Sequence, residues 1–205
     1  MKIYTPLNVN LYNKQSFLML SDDLKQNRDF IKACLSRNGL LYECLEPEFK
    51  SDKEIIMLAF MQNQDVINFI PDEFQDDLNF ILELVRIHPL VIDQLNSSFK
   101  NNKTIILTAI EDIGVDALWD KEIKIYQDVE IMVAALKSRF GQACWEPILS
   151  AAGTETEFSK TIIEIAFSIY GEEIIKNDFE QIKVMPKVIE ILLEKNSDYE
   201  KYIQN

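Results

Sequence analysis

The stretch FKSDKEIIMLAFMQNQ, beginning at Phe49, returns with substitutions as FQDDLNFILELVRIHP at Phe74 and FKNNKTIILTAIEDIG at Phe99. A fixed period of this length constrains the fold strongly, since each unit is too short to bury its own apolar face and must shelter it against its neighbours. Units can be started at Leu24, Phe49, Phe74, Phe99, Ile125, Thr156 and Ile182, at spacings of 25, 25, 25, 26, 31 and 26 residues. The longest step coincides with SAAGTETE, Ser150 to Glu157, which reads as a loop inserted between units.

Each slot of the repeat carries its own chemistry. The fourth position runs Asn27, Asp52, Asp77, Asn102, Asp128, Ser159 and Met185. All but the last can accept a backbone N–H at a helix start, which predicts a column of N-caps. Paired apolar residues follow at Phe30-Ile31, Ile55-Ile56, Phe80-Ile81, Ile105-Ile106, Ile131-Met132, Ile162-Ile163 and Val188-Ile189. They are echoed one turn later by Cys34-Leu35, Ala59-Phe60, Leu84-Val85, Ala109-Ile110, Ala135-Leu136, Ala166-Phe167 and Leu192-Leu193. Apolar side chains at i, i+1, i+4 and i+5 make one stripe on a helix. The mostly small residue opening the second pair predicts close approach of neighbouring helices.

Gly39, Gly114 and Gly171 share a slot where this helix is expected to stop, with Pro89 in the same place in the third unit. Left-handed C-caps favour glycine, so the column is read as repeated helix ends. Shorter apolar segments follow, LLYECL, VINFI, LVIDQL, VDALW and QACWEPIL, each predicted to be a second helix of two to three turns. The expected fold is all-α, an α-solenoid of tandem helix-turn-helix repeats of about 25 residues. Residues 1–205 are read as a single helical-repeat domain. Within it, 1–23 form an N-terminal half-unit or cap, 24–149 five regular units, and 150–205 two divergent units and a C-terminal cap.

The pattern DKEIIMLAFMQNQDVINFIPDEFQDDLNFILELV resembles the repeat family catalogued as domain of unknown function 4116. The features that carry the resemblance are an Asp-Lys-Glu helix start, an Ala in the helix and an Asn at its end, here Asp52, Lys53, Glu54, Ala59 and Asn63. They recur more loosely at Asn27, Arg28, Asp29, Ala33 and Asn38. The resemblance extends from Leu24 to Ile123 and implies no reaction, cofactor or catalytic residue. What it implies is a setting, since similar repeats occur in proteins that intracellular bacterial pathogens deliver into host cells. The C-terminal IEILLEKNSDYEKYIQN is also similar to acid-rich tails that such secretion systems read.

Charge narrows the partners. The 34 acidic and 21 basic side chains leave a net charge of -13, which repels phosphate backbones and anionic membranes and favours a protein partner with a basic patch. No apolar run approaches the roughly 18 residues of a membrane span, and MKIYTPLNVNLYNKQ is too polar for a cleaved signal. Cys34, Cys44 and Cys144 have neither metal nor disulfide spacing. These features predict a soluble protein of a reducing compartment, the bacterial cytoplasm and, by the resemblance, the host cytosol after delivery.

Residues with chemical potential read first as structural. His88 is the only histidine and falls in the slot held elsewhere by Asn38, Asn63 and Asn196, which predicts a cap. Cys34 occupies a core slot, and Cys44 and Cys144 promise neither the base nor the electropositive setting that a nucleophile needs. The acid pairs Asp22-Asp23, Asp76-Asp77 and Glu172-Glu173 fall at helix ends or turns. No Gly-rich phosphate loop, HExxH or EF-hand loop is present, and no cofactor is expected.

The expected function is therefore non-catalytic protein–protein interaction, as a secreted effector or a regulator of one. Specificity is expected at departures from the repeat: Arg139 and Phe140 in a turn, and Thr154 and Glu155 in the inserted loop. Trp119 and Trp145 join them as aromatic anchors, although sharing a slot with Phe69 also suits packing between repeats. The competing expectations are a hydrolase or transferase with an acidic groove between repeats, and a scaffold fragment of a larger repeat protein.

Overall fold

Each long helix begins where a short polar side chain turns back onto the backbone. In the computed structural model Asn27 accepts from the N–H of Phe30, and Asp52, Asp77, Asn102 and Asp128 each accept from two N–H groups of their own first turn. The caps start α3 (Arg28–Leu35), α5 (Lys53–Gln62), α7 (Leu78–Ile87), α9 (Lys103–Ile113) and α11 (Val129–Lys137). The structure describes residues 14–118, 121, 123–138, 157–170 and 186–195. Secondary structure among them is helical throughout, with no strand.

Other pieces precede and follow the long helices. One-turn helices come before them: α2 (Asp22–Lys25), α4 (Pro47–Lys50), α6 (Asp72–Gln75), α8 (Ser97–Lys100) and α10 (Ile123–Tyr126). The segments after them are 3-10 helices: η1 (Gly39–Cys44), η2 (Gln64–Phe69), η3 (Pro89–Gln94) and η4 (Gly114–Leu118). The first helix among the described residues is α1 (Lys14–Leu18), and further helices span Glu157–Tyr170 and Pro186–Lys195.

The repeat thus has three helical pieces where the sequence suggested two. The expected second helix is one 3-10 run of five or six residues. In η1 and η2 an Asn pins its start, since Asn38 accepts from Leu40 N–H and Asn63 from Asp65 N–H. Its end is fixed by an extended residue, Leu45 or Ile70, the latter held there by the following Pro71. So short a span tightens to i→i+3 bonds. The Asn slot read as a helix end is thus also the start of the next piece. Phe49, Phe74 and Phe99, taken as unit starts, are the third residues of α4, α6 and α8.

The predicted stripes are the core. Both apolar pairs are buried in α3, α5, α7, α9 and α11. The 3-10 helices add Leu41 and Tyr42, Val66 and Ile67, Val91 and Ile92, and Ala117 and Leu118. Two later slots depart from the pattern. Ser159, expected as a cap, lies inside the Glu157–Tyr170 helix, which starts two residues earlier. In Pro186–Lys195, Ile191 is buried whereas Ile189 is half-buried.

The glycine slot has two uses. Gly114 at the end of α9 has φ 59° and ψ -132°, a positive φ that favours glycine but not the left-handed helical cap expected of it. Gly39 instead opens η1 without a left-handed backbone, and what excludes a side chain there is space. A Cβ would land on the Ala59 carbonyl oxygen of the next repeat, with Ala59 C at 3.2 Å and Gln62 Oε1 at 3.0 Å. The Gly39 N–H donates to that Gln62 oxygen. Gly171 lies outside the described residues.

By contact density the chain divides into two compact units, Met1–Gln94 and Leu95–Asn205. In the first, α3 packs on α5 and α5 on α7, while η1 packs on η2 and also on α5. In the second, α9 packs on α11, η4 on both, and α11 on the Glu157–Tyr170 helix. A buried tyrosine closes a joint in the first unit: the Tyr42 hydroxyl donates to the Lys50 carbonyl at 2.7 Å, at the end of α4. Burial pushes the phenol well above its usual range. Tyr42→Phe leaves that carbonyl without its donor and is expected to cost about 1 kcal/mol by chemical denaturation.

Candidate interaction surface

Among the described residues, several charged side chains join one repeat to the next. In the first unit Arg28, the first residue of α3, donates to the Asp52 and Glu54 carboxylates at the start of α5. Lys32 also meets Glu54, and Lys53 reaches Glu83 of α7 at 2.8 Å while lying over the Phe80 ring. In the second unit Lys103 reaches Asp128 and Glu130 at 2.8 Å. The Asp-Lys-Glu start therefore has three roles in α5. Asp52 caps its own helix, Lys53 reaches forward to the next repeat, and Glu54 receives cations from the previous one.

These contacts set the ionisation of the carboxylates. The hydrogen bond from Arg28 and those from the Ile55 and Glu54 N–H groups hold Asp52 below its ordinary value, against the opposing effect of burial. Lys32 and then Arg28 lower Glu54. At Asp128 burial pushes upward, but the bonds from Lys103 and from the Ile131 and Glu130 N–H groups outweigh it, and the carboxyl is lowered. A depressed folded-state pKa contributes stability that is present above the unfolded value and lost as pH falls through the folded one. Stability should thus decline below the ordinary aspartate value of 3.8. Asp52→Ala, which removes a cap, should cost about 1 kcal/mol at pH 7. In urea titrations at both pH values, its deficit relative to the parent should shrink at pH 3.

The remaining candidates have structural surroundings. His88 caps the end of α7 with an extended φ of -136°, not a left-handed one. Its ring meets Phe60 edge-on at 5.4 Å, and its Nε2 lies 3.4 Å from the Met61 carbonyl, so it joins α7 to α5. Cys34 is fully buried, and that burial pushes its thiol up to about 11. Burial also raises the Cys44 thiol. Asp77 caps α7, while Asp22, Asp23 and Asp76 are exposed. Among the described residues no group of His, Cys, Asp and Glu is arranged to hold a metal ion. Trp119, Arg139, Phe140, Trp145, Thr154 and Glu155, together with Cys144, Asn196 and Glu172-Glu173, lie outside the described residues.

A different set of positions emerges on the outside. One residue past the second apolar pair, each long helix turns a side chain to solvent: Ser36, Met61 and Arg86 in the first unit, Glu111 and Lys137 in the second. The interior neighbours repeat in kind, whereas this column is by turns hydroxyl, thioether, cation, anion and cation. Met61 is 60% exposed, one of several large apolar side chains at the surface. In the second unit the column borders an open groove of about 370 Å³ between α9 and α11. Leu107, Ile110 and Ala134 give it apolar walls, with Glu111, Lys137 and Ser138 as its polar lining. Glu111 is the carboxylate of that lining, and it is exposed. The sequence pointed away from this column because it contains no motif. Its signal is variation at a fixed phase of the repeat.

Among the described residues no helix is long and apolar enough to cross a membrane. Residues 8–50 and 27–75 match the family described as domain of unknown function (DUF4116), in two overlapping segments within the first compact unit. The resemblance was expected from Leu24 to Ile123, and the match ends at residue 75. No curated protein and no solved structure matches the chain.

Proposed function

We propose, from a chain whose residues 8–75 match repeats of this family, that the protein is a non-catalytic protein-binding module. Each compact unit is a segment of α-solenoid whose interior is fixed by the repeat and whose exposed helix ends read a partner. The observation that carries this reading is one phase of the repeat, Ser36, Met61 and Arg86 in the first unit and, separately, Glu111 and Lys137 in the second, exposed in each and different in chemistry at every step. A uniform interior with a varied exterior is how repeat scaffolds acquire specificity without disturbing their packing.

The net charge of -13 favours a partner with a basic face, through steering and selectivity more than raw affinity. Met61 supplies an apolar anchor, and the groove between α9 and α11 accepts a small apolar side chain beside Glu111 and Lys137. The test is affinity capture with the intact protein, followed by Met61→Asp and Ala134→Glu in direct binding to whatever is captured. Circular dichroism must show that both variants remain folded. Loss of binding of tenfold or more in either is expected; unchanged binding in both would remove these positions from consideration.

A further inference from the structure

We infer that Asn38-Gly39 is a modification site, a self-deamidating pair that the joint between η1 and α5 holds unreactive and whose isoaspartate product does not fit that joint. It is the one Asn-Gly pair in the chain. Each half is present for a packing reason. Asn38 starts η1 by accepting from the Leu40 N–H at 3.2 Å, and Gly39 is buried where a Cβ would strike the Ala59 carbonyl oxygen of α5. In an open chain the missing Cβ also leaves the Gly39 nitrogen unhindered toward the preceding side chain. That nitrogen, losing its proton to hydroxide, bonds to Asn38 Cγ; the Cγ–Nδ2 bond breaks and ammonia leaves with a proton from water, closing a succinimide ring. Water then adds to either ring carbonyl and opens it to aspartate or isoaspartate, with no oxidant or reductant.

The closed joint opposes the first step in three ways. Asn38 has φ -148° and ψ 96°, which sets the Gly39 nitrogen on the far side of the Cα–C bond from Asn38 Cβ. The Gly39 N–H donates to Gln62 Oε1 and is buried away from hydroxide. Asn38 Oδ1 is held by the Leu40 N–H. Ring closure therefore requires η1 to lift from α5, a local opening of the first unit. In the next repeat Asn63 caps η2 in the same way but is followed by Gln64, whose side chain crowds the attacking nitrogen. Aspartate at position 38 keeps the main chain and still accepts from Leu40. Isoaspartate inserts a methylene ahead of Gly39, where the Ala59 carbonyl leaves no room, so opening permits the reaction and the product prevents closing.

The test incubates the full chain at mildly alkaline pH in native buffer and in guanidinium chloride. Mass spectrometry follows the peptide spanning residues 38 and 39, and enzymatic methylation reads isoaspartate. Conversion at Asn38 is expected to be about tenfold or more slower in native buffer, with Asn63 slow in both. Gln62→Ala, at an exposed position, should speed the native reaction severalfold and leave the denatured rate unchanged, whereas Gln62→Glu, which retains an acceptor oxygen, should stay protected. Circular dichroism checks that both variants are folded. Protein aged in denaturant and refolded should unfold at lower denaturant than fresh protein, in proportion to its isoaspartate content. Equal native and denatured rates, a native rate indifferent to Gln62→Ala, or an aged protein with the midpoint of the fresh one would overturn the inference.

Discussion

Phe60→Ala is expected to destabilise the protein by about 3–5 kcal/mol, the range for removing a large aromatic from a closed interior. Phe60 is completely buried in α5, and its ring meets the edge of His88 from the following repeat. The truncation therefore opens a cavity between two repeats and also strips the imidazole of its aromatic contact. Neighbouring long helices hold the space on both sides, so collapse into it is restricted. Met61→Ala, one residue further on, is the control. Its side chain is 60% exposed, and a change within about 0.5 kcal/mol is expected. Equal losses at both positions, measured by urea denaturation at constant pH, would show that the stripe assigned to α5 is wrong.

Gly39→Ala should cost about 1–3 kcal/mol, although it adds a single methyl group. The penalty is steric and points between repeats: the new carbon meets the Ala59 carbonyl oxygen and the Gln62 side chain. Gln62 can rotate away, but its amide oxygen then leaves the Gly39 N–H, and the backbone at Ala59 cannot move without carrying α5. Ala is ordinarily better than Gly in the unfolded-state balance. A loss at Gly39 would therefore identify crowding as the cause. A neutral or stabilising result would mean that the approach of η1 to α5 is looser than described.

Much of the frame was readable because local chemistry and burial coincide. An Asp or Asn followed by two apolar pairs is sufficient to place α3, α5, α7, α9 and α11, and their caps and buried residues lie where the period put them. The segments after the long helices were harder, since an apolar run of six residues suits an α-helix, a 3-10 helix or a bent connection equally well. What decided it was punctuation at both ends, Asn63 at the start and Ile70-Pro71 at the finish of η2.

Long-range relations were least legible. Nothing local to Gly39 reveals that Ala59 closes on it. The charges of the Asp-Lys-Glu start read as ordinary helix-terminus chemistry until partners 22 to 30 residues away are known. At the second-unit helix starting at Glu157 the period itself misled, because the spacing assigned the cap to Ser159 although the helix had already begun. For recognition, the sequence drew attention to irregular features at Arg139, Phe140 and the inserted loop, whereas the described residues draw it to a regular phase of the long helices.

That phase has a practical corollary for protein engineering. Positions 36, 61 and 86 recur at equal intervals on one compact unit and take a hydroxyl, a thioether and a guanidinium, Met61 and Arg86 within α5 and α7 and Ser36 as the residue that ends α3. They can be randomised together in a display library, with buried neighbours left untouched, and selected against a chosen target. Clones from such a pool should retain the parent's melting behaviour while differing in what they capture.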